Sequence, residues 1–259
     1  MDHGGLDVRA LTKKYRNRAV VDHVSFTVPP GEVTGYLGPN GSGKSTTVKM
    51  LTGLLPATSG QILWNGCDIR HDLIGFKRRL GYVPEEAYVY PHLTGLEYLQ
   101  LIGRLRQLPE TVVERKANEL LRLLWLHEYR YSPISAYSKG MKQRVLIASA
   151  LLHDPDLLIF DEPLSGLDIT SALLLHELIA ELARRGKTIM YISHVLEITE
   201  KVCARVIILY QGRIVANDAV GRLRDLMQLP SLEMIFRQLA QHEDVRTTAR
   251  DLVTVMQES

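Results

Sequence analysis

One glycine-rich run holds the residues best suited to chemistry: Gly38-Pro39-Asn40-Gly41-Ser42-Gly43-Lys44-Ser45-Thr46. It fits the phosphate-loop pattern G-x-x-x-x-G-K-[ST]. Glycines let the backbone curl so that successive N–H groups point at phosphate oxygens. A helix opening there presents the positive end of its dipole to the same anion. Lys44 would place a point charge against the β- and γ-phosphates, and the Ser45 hydroxyl is placed to ligate Mg²⁺. A second site of charge follows Leu157-Leu158-Ile159-Phe160 as the pair Asp161-Glu162. An apolar strand carries that pair out at its C-terminal edge, where ligands bind in open α/β sheets. Asp161 would hold Mg²⁺, directly or through water, and Glu162 would polarise an attacking water as general base. An Asp-Glu pair at a strand end is common by itself. Beside a phosphate loop it gains a metal and a water to act on.

Positioning these groups requires an α/β frame, and the chain reads as one. Asp7–Tyr15 and Val24–Val28 alternate apolar and polar residues, with a Pro29-Pro30-Gly31 turn. Glu32–Leu37 is a short apolar run into the phosphate loop, and Lys44–Leu54 reads as helix. Gly60–Trp64 is a strand closed by Asn65-Gly66, a hairpin-type turn. From about Thr94 to Glu128 leucines recur at spacings of three and four, and Pro109 divides the stretch into two helices. Leu120–Leu126 is apolar almost all round, which predicts burial on more than one side. A helix over Ser138–Leu152 is followed by short apolar strands at 157–160, 188–192 and 206–210, with helices at 172–184 and 195–202 between them. Strand-helix alternation of this kind argues for a parallel sheet. One or two amphipathic helices are expected from Ser231 onward.

Composition narrows the classes. The chain has 259 residues, 46% hydrophobic and 23% charged, and a net charge of +2. No dense basic stripe is present, so nucleic acid is not an expected partner. Short clusters such as Lys77-Arg78-Arg79 read as solvated faces or interface rims. Cys67 and Cys203 form no CxxC or disulfide framework, and a buried, reduced pair is expected. No apolar run approaches the roughly 18 residues of a membrane span, and the first residues lack a signal-peptide pattern.

With these motifs in order, the chain resembles the ATP-binding subunit of ABC transporters. Tyr137-Ser138-Lys139-Gly140-Met141-Lys142-Gln143-Arg144 is similar to the family signature, usually written L-S-G-G-Q. Ser165-Gly166-Leu167-Asp168 resembles its D-loop, and His194 its switch histidine. Tyr15 stands where the family places an aromatic to stack on adenine. The resemblance implies a P-loop NTPase core with a mostly parallel sheet, an N-terminal antiparallel β subdomain and an inserted α-helical subdomain. It implies an ATPase domain over 1–240, with the helical subdomain at about 90–152, and a short helical tail over 241–259. ATP and Mg²⁺ are the implied cofactors. By that resemblance Lys44, Glu162 and His194 would carry catalysis, and Ser45, Asp161 and Glu85 would hold the metal. Tyr15, the loop Gly38–Thr46, Ser138 and Gly140 would bind nucleotide. Ser138 would cap its helix, and that end would reach the γ-phosphate held by a second subunit.

Two departures from the family pattern stand out. The glutamine that senses metal and membrane partner is replaced by Glu85, which adds negative charge near the triphosphate. Lys139 and Met141 replace a glycine and a glutamine of the signature, whereas Ser138 and Gly140 are kept. The signature wording, together with Ser231–Leu239, is similar to the branch paired with ABC-2 type export permeases. The expected partners are therefore transmembrane permease subunits and a second ATPase subunit, the same chain or a different one. The expected location is cytoplasmic, at the inner face of the membrane. The competing reading is a soluble ABC-type ATPase without a membrane partner. A small kinase or GTPase fails for want of N-K-x-D, and a dead binding module is opposed by the complete set Lys44, Asp161, Glu162 and His194.

Overall fold

The computed structural model describes residues 4–240 and, beyond them, residues 250, 253, 254 and 256. Two sheets organise the chain. The first is antiparallel, in the order β2-β1-β4-β5, from β1 (Leu6–Tyr15), β2 (Arg18–Val28), β4 (Ser59–Trp64) and β5 (Cys67–Asp68). β4 and β5 are joined by Asn65 and Gly66 at φ 49° and 81°, the two positive values that a type I′ hairpin needs.

The second sheet carries the site. Its order is β10-β9-β3-β8-β7-β6, from β3 (Val33–Leu37), β6 (Leu80–Val83), β7 (Leu157–Asp161), β8 (Thr188–Ile192), β9 (Arg205–Tyr210) and β10 (Arg213–Ala219). All its neighbours run parallel except the edge strand β10. Every residue of β3, β7 and β8 is buried. The two-residue period of a strand sends alternate side chains to opposite faces. Leu157, Ile159, Met190 and Ile192 join the core facing the small sheet and α1 (Lys44–Leu51). Leu158, Phe160, Ile189 and Tyr191 join the core beneath the helices on the other face.

Those helices follow the leucine spacing. α3 (Gly95–Leu105) opens on a capping box between Thr94 and Glu97. α4 (Glu110–Leu123) buries Val113, Ala117 and Leu121, one stripe at intervals of four. α5 (Lys139–Leu151) packs on both β6 and the α3–α4 pair, so it joins the helical part to the sheet. α6 (Ile169–Arg184) starts from the Asp168 cap, whose carboxylate accepts from the Ser171 N–H at 2.8 Å. α7 (Leu196–Val202), α8 (Val220–Met227) and α9 (Leu232–Ala240) follow along the chain.

Three expectations need correction. Leu120–Leu126 is not buried on more than one side: Leu121 and Leu124 are buried, whereas Leu123 and Trp125 are 52% and 49% exposed. α4 ends at Leu123 and Trp125 takes a left-handed φ of 54°. The helical register stops there, and Leu126 turns inward with its N–H on Leu121 O at 2.7 Å. The two cysteines are not a buried pair, because Cys67 is exposed beside a hairpin turn and Cys203 alone is buried. α1 stops at Leu51, and Gly53 at φ 66° turns the chain away before Leu54. Sequence periodicity also gave no sign of α2 (Leu73–Arg79), β6 or α8. No helix of the described residues is long and apolar enough to cross a membrane. The tail expected over 241–259 lies almost wholly outside the described residues.

Candidate active site

β3 delivers the chain into the phosphate loop, and α1 leaves it. Gly43 at φ 108° is the N-cap of α1, and a Cβ there would come within 2.7 Å of Val20 O. No side chain caps the first turn of α1 and no acid lies in it. Its N–H groups and positive dipole end therefore face the adjoining cavity without competition. That cavity measures about 480 Å³, in the range of small-molecule sites. Its wall takes in Gly38, Pro39, Asn40, Gly41, Gly43, Lys44, Ser45 and Thr46. The Ser42 hydroxyl is buried inside the loop with no protein partner. Lys44 folds back on the loop, its Nζ donating to Gly38 O at 2.7 Å and to Pro39 O at 3.1 Å. Uncapped N–H groups and an ammonium together suit a chain of phosphate oxygens.

The opposite wall is acidic. Asp161 ends β7, and Glu85 follows β6, the strand paired with β7. Asp161 is 6% exposed. Burial, then the charges of Glu85 and Glu162, push its carboxyl up to about 6, against the pull of Lys44 and a hydrogen bond with Tyr82. Burial lowers the Lys44 ammonium, and the same three acids oppose that shift. Three carboxyl groups thus share one space with one ammonium. Ser45, Asp161 and Glu85 offer only hard oxygen donors there, the set that suits Mg²⁺.

Glu162 is the most tightly held acid. It adopts φ 47°, a left-handed conformation that costs a non-glycine residue about 1–2 kcal/mol. Its N–H donates to Ile192 O at 3.0 Å, which extends the β7–β8 ladder by one bond. The carboxylate is thereby turned to the end of β8. There Oε1 accepts from the His194 N–H at 2.8 Å and lies 2.6 Å from His194 Nδ1, and Oε2 accepts from Ser193 Oγ at 3.2 Å. The imidazole remains 69% exposed at the cavity mouth.

The family model described as ABC transporter matches residues 21–165, more than half of the chain. The chain belongs to the ABC transporter ATP-binding family. It is similar to the linearmycin resistance ATP-binding protein LnrL of Bacillus subtilis (strain 168), at 38% identity over 85% of this chain and 70% of that protein. It is 36% identical to the Nod factor export ATP-binding protein I of Ralstonia nicotianae (strain ATCC BAA-1114 / GMI1000), over 82% of this chain and 66% of that one. A solved structure of an ATP-binding subunit of an ABC transporter superposes with a TM-score of 0.86, at 34% identity, over 91% of this chain and 99% of that one. The chain is thus an ATPase of the ABC type, with the expected α/β architecture.

Within this ABC ATPase the fold brings together most of the residues singled out in sequence. The phosphate loop, Glu85, Asp161, Glu162 and His194 meet at the cavity. Tyr15, Ser42, Ser138 and Gly140 do not line it. Tyr15 is half exposed at the end of β1, with Lys13 Nζ 5.4 Å from its ring centroid. Ser138 caps α5, its Oγ accepting from the Met141 N–H at 3.2 Å. Gly140 lies so close to the D-loop that a Cβ would come within 2.6 Å of Gly166 O. The methylenes of Lys139 cover Gly166, and Gln143 Nε2 donates to Pro163 O at 3.1 Å. Signature and D-loop are therefore one packed unit. Sequence reading missed Ser193, Tyr82, Val20, Leu196 and Phe236. Only Ser193, adjoining His194, carried a local signal.

Proposed function

We propose that this chain is the ATP-hydrolysing subunit of an exporter, acting as one half of a nucleotide-bound dimer beneath a separate transmembrane permease. The observation that carries the reading is the Glu162 carboxylate, held by Ser193 and His194 at the mouth of the phosphate-loop cavity. A carboxylate fixed in this way is preorganised to take a proton from water. Ser45, Asp161 and Glu85 would hold Mg²⁺, which when bound neutralises charge on the phosphate oxygens. Lys44 and the first N–H groups of α1 bind and orient the triphosphate. Glu162 accepts the proton of the attacking water, and His194 holds Glu162 in place and faces the γ-phosphate.

Dimerisation follows from what the cavity lacks. The signature end of α5 is exposed and does not line the chain's own site. A second subunit, turned head to tail, would bring its Ser138 and Gly140 N–H to the open mouth, with a second helix dipole. Tyr15 would meet adenine on the rim. ATP closes the dimer only by contacts present in the closed state, and hydrolysis removes them.

A groove between α2 and α3 supports a membrane partner. Leu54, Ile74 and Leu105 are 63%, 71% and 68% exposed along it, flanked by Lys77, Arg78 and Arg106. Apolar side chains with a basic rim suit a short amphipathic helix of a permease. Tyr82, which interacts with Asp161, also lines this groove, which would link docking to the metal site. The Nod factor export relative supports the direction of transport. The test is ATPase activity and size-exclusion elution in Mg-ATP for wild type and Glu162→Gln. The variant is expected to lose turnover and elute as an ATP-dependent dimer. An unchanged rate would refute Glu162 as the base.

A further inference from the structure

Phe236 of α9 lines the same cavity as Lys44, Glu162 and His194, although it lies far along the chain from all of them. α9 is seated by residues at helical spacing: Leu232 and Ile235 are fully buried, and Phe236 follows on the same side. The helix packs on α7, α8 and the β9–β10 edge. Its first N–H, that of Leu232, donates to Glu200 Oε2 of α7 at 3.2 Å, and Glu200 Oε1 pairs with Arg224 of α8 at 3.2 Å. α7 begins at Leu196, two residues after His194, and Leu196 also lines the cavity. The loop that carries His194 is thus backed by a short helix that α9 holds from behind.

We infer that α9 is a positioning element for hydrolysis: Phe236 and Leu196 wall the catalytic end of the cavity and fix the segment 193–195, so that Ser193 and His194 keep Glu162 aimed at water. Phe236 is a positioning residue. It offers no proton and no charge, and its effect passes through the His194 loop. This inference rests on the proposed role of Glu162 and His194.

The test uses the full chain with Phe236→Ala, Phe236→Leu and Glu200→Ala, with Glu162→Gln as reference. Misplacing a catalytic group by about 1 Å costs up to roughly 10²-fold. Phe236→Ala is therefore expected to lower kcat about 10- to 100-fold with KM for ATP unchanged, and Phe236→Leu to restore most of it. Glu200→Ala, which frees the start of α9 without touching the cavity, should shift kcat in the same direction at unchanged KM. A folded Phe236→Ala protein with wild-type kcat, or one whose KM rises while kcat holds, overturns the inference. If Phe236→Ala does not fold, an unchanged kcat in Glu200→Ala overturns it. Collapse of turnover in Glu162→Gln together with full activity in the α9 variants would sink this inference alone. Absence of turnover in wild type, or full turnover in Glu162→Gln, would sink the proposed mechanism with it.

Discussion

Two helix N-termini in this molecule, those of α1 and α5, carry the proposed nucleotide-binding motifs, and they are built in opposite ways. α1 starts from Gly43, without a side-chain cap, and opens into a walled cavity with an ammonium and three acids. α5 starts from Ser138, is capped by that hydroxyl, and lies on the surface against the D-loop of its own chain. The first opens on a walled cradle, and in the proposed function the second is half of a site. In the proposed dimer, the cradle of one subunit is completed by the α5 end of another. If the proposed dimer forms, the difference teaches that a capped, exposed helix start can be as functional as an open one, because its target lies on another molecule.

Perturbing the α1 side should have the larger effects. Replacing Glu162 by Gln removes the proposed base and should lower kcat by roughly 10²–10⁴-fold while ATP still binds, as single-turnover and nucleotide-binding measurements would show. Lys44→Ala should weaken ATP binding itself, by roughly 10- to 100-fold for one lost charge-assisted hydrogen bond, measured by nucleotide titration. Tight binding by Lys44→Ala would place the triphosphate elsewhere.

At α5 the cap and the proposed phosphate contact can be separated. Ser138→Asp keeps an N-cap acceptor but sets a negative charge against phosphate. Its melting temperature should match wild type, and its ATPase rate should fall about tenfold or more. Ser138→Ala should instead lose about 1 kcal/mol of stability along with activity, read by chemical denaturation. Full activity in Ser138→Asp would reduce this helix start to an ordinary cap.

The smallest effect concerns the far end of α5, which is pinned to the sheet that holds the cavity. His153 Nε2 donates to Leu80 O at 3.0 Å, and burial, with Arg106 nearby, lowers its pKa to about 4. The unfolded chain takes up a proton there near pH 6.5, so this group favours folding above that pH. Its contribution is lost as the pH falls from 6.5 to about 4. His153→Gln keeps a donor to Leu80 O and should flatten that part of the stability curve. An unchanged slope would show that the contact does not set the acid limb.

Much of the site was legible because its residues are local runs whose order and chemistry need no long-range information. The phosphate loop spans nine adjacent residues, and Asp161-Glu162 ends a strand that is apolar throughout. The sheet was legible for the same reason, since β3, β7 and β8 are buried on both faces. What escaped is tertiary. β6 is a four-residue strand containing Gly81, and its strand character comes from pairing with β7. Leucine content could not show that Trp125 ends α4 in a left-handed turn. Cys67 looked buried by residue type and is exposed by its turn. Nothing near Phe236 in the sequence reveals that α9 brings it to the phosphate cavity.

The central claim is that each site is shared between two chains, and mixing two disabled variants tests it most directly. Lys44→Ala lacks a working cradle, and Ser138→Asp lacks a working signature end. Each alone should hydrolyse ATP poorly. A dimer formed from one of each contains a site with an intact Lys44 from one subunit and an intact Ser138 from the other. If sites are shared, ATPase activity rises on mixing well above the sum of the two variants. Activity that stays at that sum, while the two variants demonstrably associate, would contradict it.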